Sequence, residues 1–304
     1  MPNAATLKSA KPQIATTATT ADAPTFLHAM LSHRGRVRHA NEDACAALPE
    51  HRAFIVCDGM GGTAAGELAS HLATDAFLNS LSQSIPSRPR LRRTASSNHG
   101  IAEHDPASHP RTRLHEAIRA ANHAVFHRAQ KSRALHGMGT TLVAVLLENA
   151  AVPLKVAEPS PDTATHRPVP TLWLAHVGDS RCYRFRASTL ELLTRDHSLV
   201  EEQVRAGLLS AVDAVDSPIR NIITRAIGSG SSVEPDIAAH ATQPGDLYLL
   251  ASDGLTRELD DPEIAQILTR TAGHTLESAC EALIDAANAS GGRDNITVLL
   301  IACP

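Results

Sequence analysis

Lysine is nearly missing from this chain. Lys8, Lys11, Lys131 and Lys155 are the only ones, and arginine carries the remaining positive charge. The planar fork of arginine suits bidentate recognition of phosphate or carboxylate. Charge of either sign is not in excess: a formal net charge of -4 over 304 residues gives no basic field for nucleic acid or anionic lipid. No apolar run approaches the roughly 18 residues of a membrane span. The N-terminal stretch "MPNAATLKSAKPQIATTATTADAP" has no apolar h-region, so no secretory signal is expected. The five cysteines, Cys45, Cys57, Cys182, Cys280 and Cys303, are an odd and scattered set without a C-x-x-C pair. Reduced thiols in a cytoplasmic protein follow from that pattern.

Several catalytic signatures are missing too. No cysteine has an arginine six positions later, which excludes the thiolate phosphatase pattern. There is no G-x-x-x-x-G-K-[ST] and hence no P-loop nucleotide site, no G-x-S-x-G elbow, and no H-E-x-x-H despite 17 histidines.

The segments present divide into tail, insertions and periodic elements. Residues 1–25 are rich in Ala and Thr and poor in large apolars, and read as a disordered tail. Two stretches dense in Pro, Ser and His, at about 84–110 and 148–170, read as insertions into one domain spanning 26–304. "TAAGELASHLATDAFLNSL" is predicted as a helix opened by Thr63. "RLHEAIRAANHAVFHRA" sets Leu114, Ile118, Ala121 and Val125 on one helical face. A late helical pair, "DPEIAQILTRT" and "TLESACEALIDAANASGG", closes at Gly291–Gly292.

Strands are expected at "AFIVC", "TTLVAVLLE", "TLWLAHVG", "SRCYRFRAS", "TLELLT", "DLYLLAS" and "NITVLLIAC". The third, fourth and fifth are joined by short turns, which predicts antiparallel pairing among them. In "RCYRFR", Tyr183 and Phe185 face one way, and Cys182, Arg184 and Arg186 the other. "TLWLAHV" is apolar on both faces, as in a sheet covered on both sides. An α+β fold with helices outside the sheets follows.

Three aspartates stand at the ends of strong strands: Asp58 after "AFIVC", Asp253 after "DLYLLAS" and Asp294 before "NITVLLIAC". Antiparallel neighbours share a rim, so these three could meet there, with Glu42 and Asp43 of "NEDA" nearby. Gathered carboxylates repel one another unless cations neutralise them. Oxygen-only ligands select hard ions, Mg²⁺ or Mn²⁺, over zinc. Gly59, Gly61 and Gly62 leave backbone free for close approach, and a carbonyl can itself be a ligand. Metal-assisted hydrolysis is the chemistry that remains.

The motifs "RHANED" (38–43), "VCDGMGG" (56–62), "GMGTT" (137–141), "VGDSR" (177–181) and "TRDHSLVEEQVRAGLLS" (194–210) occur in that order. "NIITRAIG" (221–228), "PGDLYLLASDGL" (244–255) and "GGRDNITV" (291–298) follow. Together they resemble the type 2C metal-dependent protein phosphatases, most nearly the bacterial members that reverse Ser/Thr kinases. The resemblance runs from about residue 31 to the C-terminus and leaves out the tail and both insertions.

The resemblance implies a sandwich of two antiparallel sheets with helices on both outer faces. It implies that Asp58 bridges two Mn²⁺ or Mg²⁺ ions and that the Gly59 carbonyl ligates one, while Asp253 and Asp294 hold the other. Glu42 and Asp43 would act through water. Asp179 in "VGDS" resembles a ligand of a weaker third ion; the other reading is a turn aspartate opening a hairpin. Arg38 resembles the arginine that grips substrate phosphate, although Arg34 and Arg36 are close by. Asn295 would orient Asp294. Residues 198–220 resemble a mobile flap, against the reading of a static packing subdomain.

The implied reaction is hydrolysis of phosphoserine and phosphothreonine in proteins by a water activated between the two ions, with no phosphoenzyme. The implied partners are phosphorylated proteins, including a Ser/Thr kinase, and the implied state is a monomer. Many eukaryotic members carry a histidine as general acid where this chain has Met60, so a metal-bound water, His39 or His197 would have to serve. A non-catalytic binding module of the same fold is the competing reading, and it should have lost ligands that are all present here. Aspartyl-phosphate enzymes need a D-x-D that "DGMGG" does not supply.

Overall fold

The computed structural model describes residues 26–84, 109–149, 170–215 and 217–304. The tail at 1–25 and nearly all of both insertions lie outside the described residues. Eleven strands and seven helices follow in the order β1 (Leu27–His33), β2 (Asp43–Leu48), β3 (Ala53–Met60), α1 (Thr63–Gln83), α2 (Pro110–Gln130), β4 (Gly139–Thr140), β5 (Leu142–Asn149), β6 (Pro170–Val177), β7 (Arg181–Arg186), β8 (Thr189–Leu192), α3 (Leu199–Arg205), α4 (Ala211–Val215), β9 (Asp236–Ala241), β10 (Leu247–Ala251), α5 (Asp253–Thr256), α6 (Asp261–Arg270), α7 (Leu276–Ser290) and β11 (Ile296–Ala302).

The strands form two antiparallel sheets. One has the order β1-β11-β10-β7-β8; the other has β2-β3-β5-β6-β9, with β4 pairing β3. Strand alternation explains why they stack. Phe54 and Val56 of β3 and Val143 and Val145 of β5 meet Tyr248, Leu250, Leu299 and Ile301 of the opposing sheet in a dry middle layer. Their neighbours Ile55, Cys57 and Ala144 face α1 and α2, where Leu114, Ile118, Ala121 and Val125 are all buried as predicted. Leu249, Val298 and Leu300 face α6 and α7. The result is a four-layer α+β sandwich with helices on both outer faces. Each fully buried Leu, Ile or Phe contributes about 1.5–3 kcal/mol, so the two-faced strands hold the layers together.

Two local expectations are corrected. The third expected strand, β6, does not pair with β7: they lie in different sheets, and only β7 and β8 form the hairpin. At Gly178, in the left-handed region at φ 104°, the chain crosses from one sheet to the other. The three-residue link Gly178–Ser180 reads like a hairpin, but the apolar residues on both faces of β6 and the buried Cys182 and Tyr183 of β7 commit the two strands to different layers. Thr63 is the first residue of α1 rather than its cap; Gly62 occupies the N-cap. The closing glycine is as expected, with Gly291 at the C-cap of α7.

Candidate metal centre and active site

The antiparallel registers bring the predicted carboxylates to one rim of the sandwich. Asp43 and Asp58 are direct partners across β2 and β3. Asp253 follows β10, and Asp294 precedes its antiparallel neighbour β11, at the same edge of the other sheet. Asp179 lies on the crossing between the sheets. One cavity of about 380 Å³ is lined by Arg38, Glu42, Asp58, Gly59, Asp253 and Asp294, with Met60, Asn221, Ile223 and Arg257 around them.

Each acid is held by particular neighbours. Ser252 Oγ and Thr297 Oγ1 donate to Asp43 Oδ2 at 2.8 and 2.7 Å. The Asp58 backbone is locked by β4 and the residue that follows it: Thr141 Oγ1 accepts from the Asp58 amide at 2.9 Å, and Thr140 Oγ1 donates to its carbonyl at 2.8 Å. Asn295 acts through its amide, which donates to Asp294 Oδ1 at 2.8 Å. Its side chain accepts from the Glu42 amide at 2.8 Å and donates to the carbonyls of Arg34 and Ala40. The loop bearing Arg38 and Glu42 is thereby stitched to the start of β11.

Glycine makes room for Glu42. A Cβ on Gly66, in the first turn of α1, would lie 1.9 Å from Glu42 Oε2. A Cβ on Gly59 would meet the Gly66 carbonyl oxygen at 2.2 Å and that of Glu42 at 2.5 Å. No other residue fits either position without moving the site.

Burial is the first cause that pushes the Asp43 carboxyl up to about 7, with Asp253 and Asp294 adding repulsion against the Ser252 and Thr297 hydrogen bonds. Asp179 is pushed up to about 7, again by burial first and then by Asp253. Asp58 and Asp253 are raised for the same first reason. Oδ1 of Asp43, Asp179 and Asp253 is buried and without a hydrogen-bond partner. Buried polar atoms are normally satisfied. Orphaned oxygens clustered on repelling carboxylates fit divalent cations with hard-oxygen preference.

Arg38 pairs with Asp294 at 2.8 Å and is half exposed to the cavity. Arg36 is turned away, with Nε donating to the Asn288 carbonyl at 2.8 Å. Neither His39 nor His197 lines the cavity. His197 is buried and stacks on His176. Its Nδ1 accepts from the Gly178 amide at 3.2 Å, while Nε2 lies 3.4 Å from Asp236 and 3.3 Å from Arg225 Nη1. His197, His176 and Asp236 have the proximity of a metal site. Arg225 stands 2.9 Å from Asp236 and 3.3 Å from His197 Nε2, and already supplies the cation at this cluster. They form a structural brace under the Gly178 crossing.

Sequence reasoning missed Ser252, Thr297, Gly66 and Arg257. The first three act across elements, which no local pattern reveals. Arg257 left a signal, because it is four residues after Asp253 on a helical turn, the spacing of a facing ion pair.

A rim of clustered carboxylates from both sheets, with an arginine beside it, is the arrangement expected of a metal-dependent phosphohydrolase centre. The sequence profile of the protein phosphatase 2C family matches residues 27–296. The serine/threonine phosphatase stp of Listeria monocytogenes is 35% identical over 271 residues, covering 88% of this chain and 92% of its own length. The Mycobacterium tuberculosis phosphatase PstP/Ppp crystal structure superposes with a TM-score of 0.69 at 31% identity, covering 91% of this chain and 98% of that one. A structure of the PstP catalytic domain in complex with two manganese ions gives 0.68 at 31% identity, covering 91% and 97%. The chain belongs to the protein phosphatase 2C family. It is a metal-dependent protein-serine/threonine phosphatase, using Mn²⁺ or Mg²⁺.

Proposed function

We propose that Asp58, the Gly59 carbonyl, Asp253 and Asp294 hold the two ions, with Glu42 and Asp43 acting through ordered water and Asp179 at the edge of the centre. The observation that supports this assignment is the convergence of Asp58, Gly59, Asp253 and Asp294 on one cavity, beside buried Oδ1 atoms of Asp43, Asp179 and Asp253 that have no hydrogen-bond partner. When bound, divalent ions lower the pKa of a coordinated water towards neutrality and so supply the nucleophile. The residues do the rest. Asp58 and Asp253 fix the centre from opposite sheets, and Ser252 and Thr297 keep Asp43 aimed at it. Arg38 offers the phosphoryl oxygens a fork of donors as charge develops on them. Met60 cannot give up a proton, and among the described residues no histidine lines the cavity, so the leaving serine or threonine oxygen takes its proton from water.

Residues 198–220 form the flap within a single domain over 26–304. The Ser198–Ile223 bridge and the Leu199 amide on the Ile222 carbonyl at 2.8 Å close its base. Helix α3 buries none of its residues, and Leu208 and Val212 are exposed, as suits a segment that opens for a protein substrate. The substrates are phosphorylated proteins, including an opposing Ser/Thr kinase, and the enzyme works as a cytoplasmic monomer. Among the described residues no helix is long and apolar enough to cross a membrane.

The test is phosphate release from a phosphothreonine peptide, with Mn²⁺ titrated against EDTA, for wild type and Asp253→Asn. Mn²⁺-dependent release that the substitution removes supports these roles. A folded wild type that releases no phosphate at any Mn²⁺ concentration would leave only the non-catalytic binding module.

A further inference from the structure

Arg257 stands inside the acidic centre. It follows α5 and lies four residues after Asp253, with which its Nη2 makes a close ion pair. The same guanidinium is 3.5 Å from Asp179 Oδ2 and 3.8 Å from Asp294 Oδ2. Its side chain is 27% exposed and lines the cavity. No acid outside the centre shares it in an ion pair among the described residues. One positive charge thus bridges Asp179, the carboxylate at the crossing between sheets, to Asp253, at the end of β10.

We propose that Arg257 is a tethered cation that takes the place of a metal ion between Asp179 and Asp253, so that this phosphatase carries two exchangeable ions and not three. This deepens the proposed metal assignment and rests on it. An ion entering between Asp179 and Asp253 would have to displace a guanidinium already paired to both, and would meet its charge at close range. The guanidinium is also permanently charged, so unlike a metal it cannot be removed by chelation or dilution. Arg257 is therefore a positioning residue: it keeps Asp179 and Asp253 converged when the exchangeable ions leave.

The experiment counts bound Mn²⁺ by calorimetry and by the electron paramagnetic resonance of free Mn²⁺, for wild type, Arg257→Gln, Arg257→Lys and Arg257→Gln/Asp179→Asn. Melting temperatures are taken in EDTA and in Mn²⁺. Wild type is expected to bind two ions. Arg257→Gln should gain a third, weaker ion, with affinity at that position up by roughly tenfold or more, the scale of removing a nearby unit charge. The double variant should lose it again, and Arg257→Lys, which keeps the charge, should stay at two. Arg257→Gln should also melt several degrees lower in EDTA and recover with Mn²⁺. A third ion bound equally well by wild type and Arg257→Gln, or an Arg257→Gln count that stays at two, would overturn the proposal alone. No Mn²⁺ on any of the four folded proteins would overturn the metal assignment and this inference with it.

Discussion

Glu42 rests its carboxylate against Gly66. A Cβ there would lie 1.9 Å from Oε2, so the acid occupies space that any other residue would claim. The contact joins the loop before β2 to the first turn of α1, and it makes a helical glycine part of the metal centre.

Gly66→Ala separates stability from metal binding. Alanine in a helix is favoured over glycine by about 1 kcal/mol. The closest clash falls on the far end of a flexible side chain, so Glu42 moves, while the Gly59 carbonyl carbon, met at 3.0 Å, has to give only slightly. We expect a metal-free melting temperature that is unchanged or slightly higher. Mn²⁺ affinity should drop about 10–100-fold, as for loss of an outer partner, matching Glu42→Gln. Calorimetry of both variants checks this, and wild-type affinity in Gly66→Ala would show that Glu42 has no share in the site.

Asp58→Asn should cost more. Asp58 faces Asp43 across the strand pair and lines the cavity, and it is assigned to both ions. Loss of tight Mn²⁺ binding and an activity drop beyond roughly 10²-fold, more than an outer partner costs, are expected. Unchanged Mn²⁺ affinity by calorimetry would refute the assignment.

Turnover should survive thiol alkylation. Burial pushes the Cys45, Cys57, Cys280 and Cys303 thiols up to about 12, and raises Cys182 further. Such thiols present little thiolate near neutral pH. Phosphothreonine-peptide hydrolysis before and after iodoacetamide is the check, and a thiol-dependent loss of activity from folded protein would contradict a water nucleophile.

Metal binding should release protons. Burial pushes the Asp43 carboxyl up to about 7 and raises Asp58 and Asp253, against an ordinary value of 3.8. In the metal-free chain, folding is favoured by these groups at low pH, and that contribution is lost as pH rises from about 4 through 7. Bound ions need the carboxylates ionised, so affinity should fall with falling pH, about tenfold per unit for each proton displaced. Calorimetry in buffers of different ionisation enthalpy should find protons released at pH 6 and few at pH 8. Equal release at both would mean that these acids are ionised without metal.

Much of this was legible in the linear sequence because its determinants are local. Asp58, Asp253 and Asp294 each adjoin an apolar strand, and antiparallel pairing carries such ends to a common rim. The two-faced apolar pattern of "TLWLAHV" foretold a sheet covered on both sides, and the periodicity of α2 foretold its buried face. The hydroxyls of Ser252 and Thr297 were invisible, since they meet Asp43 only where the two sheets pack together, more than 200 positions along the chain. The crossing at Gly178 was misread because a short turn looks alike whether it folds a strand back or passes it to another layer. Only the distribution of apolar side chains over the whole sandwich decides between them.

That crossing makes the catalytic centre a gauge of assembly. Asp43 and Asp58 belong to one sheet, Asp253 and Asp294 flank strands of the other, and Asp179 lies on the strap between them. The proposed ligand set is assembled only while the two sheets are docked, so on that assignment ion binding and sheet docking draw on one free energy. A cavity cut into the middle layer, at Leu250 or Val145, would loosen the grip on Mn²⁺ without touching a ligand. In this sandwich, the affinity for metal reads out how well the two halves are closed.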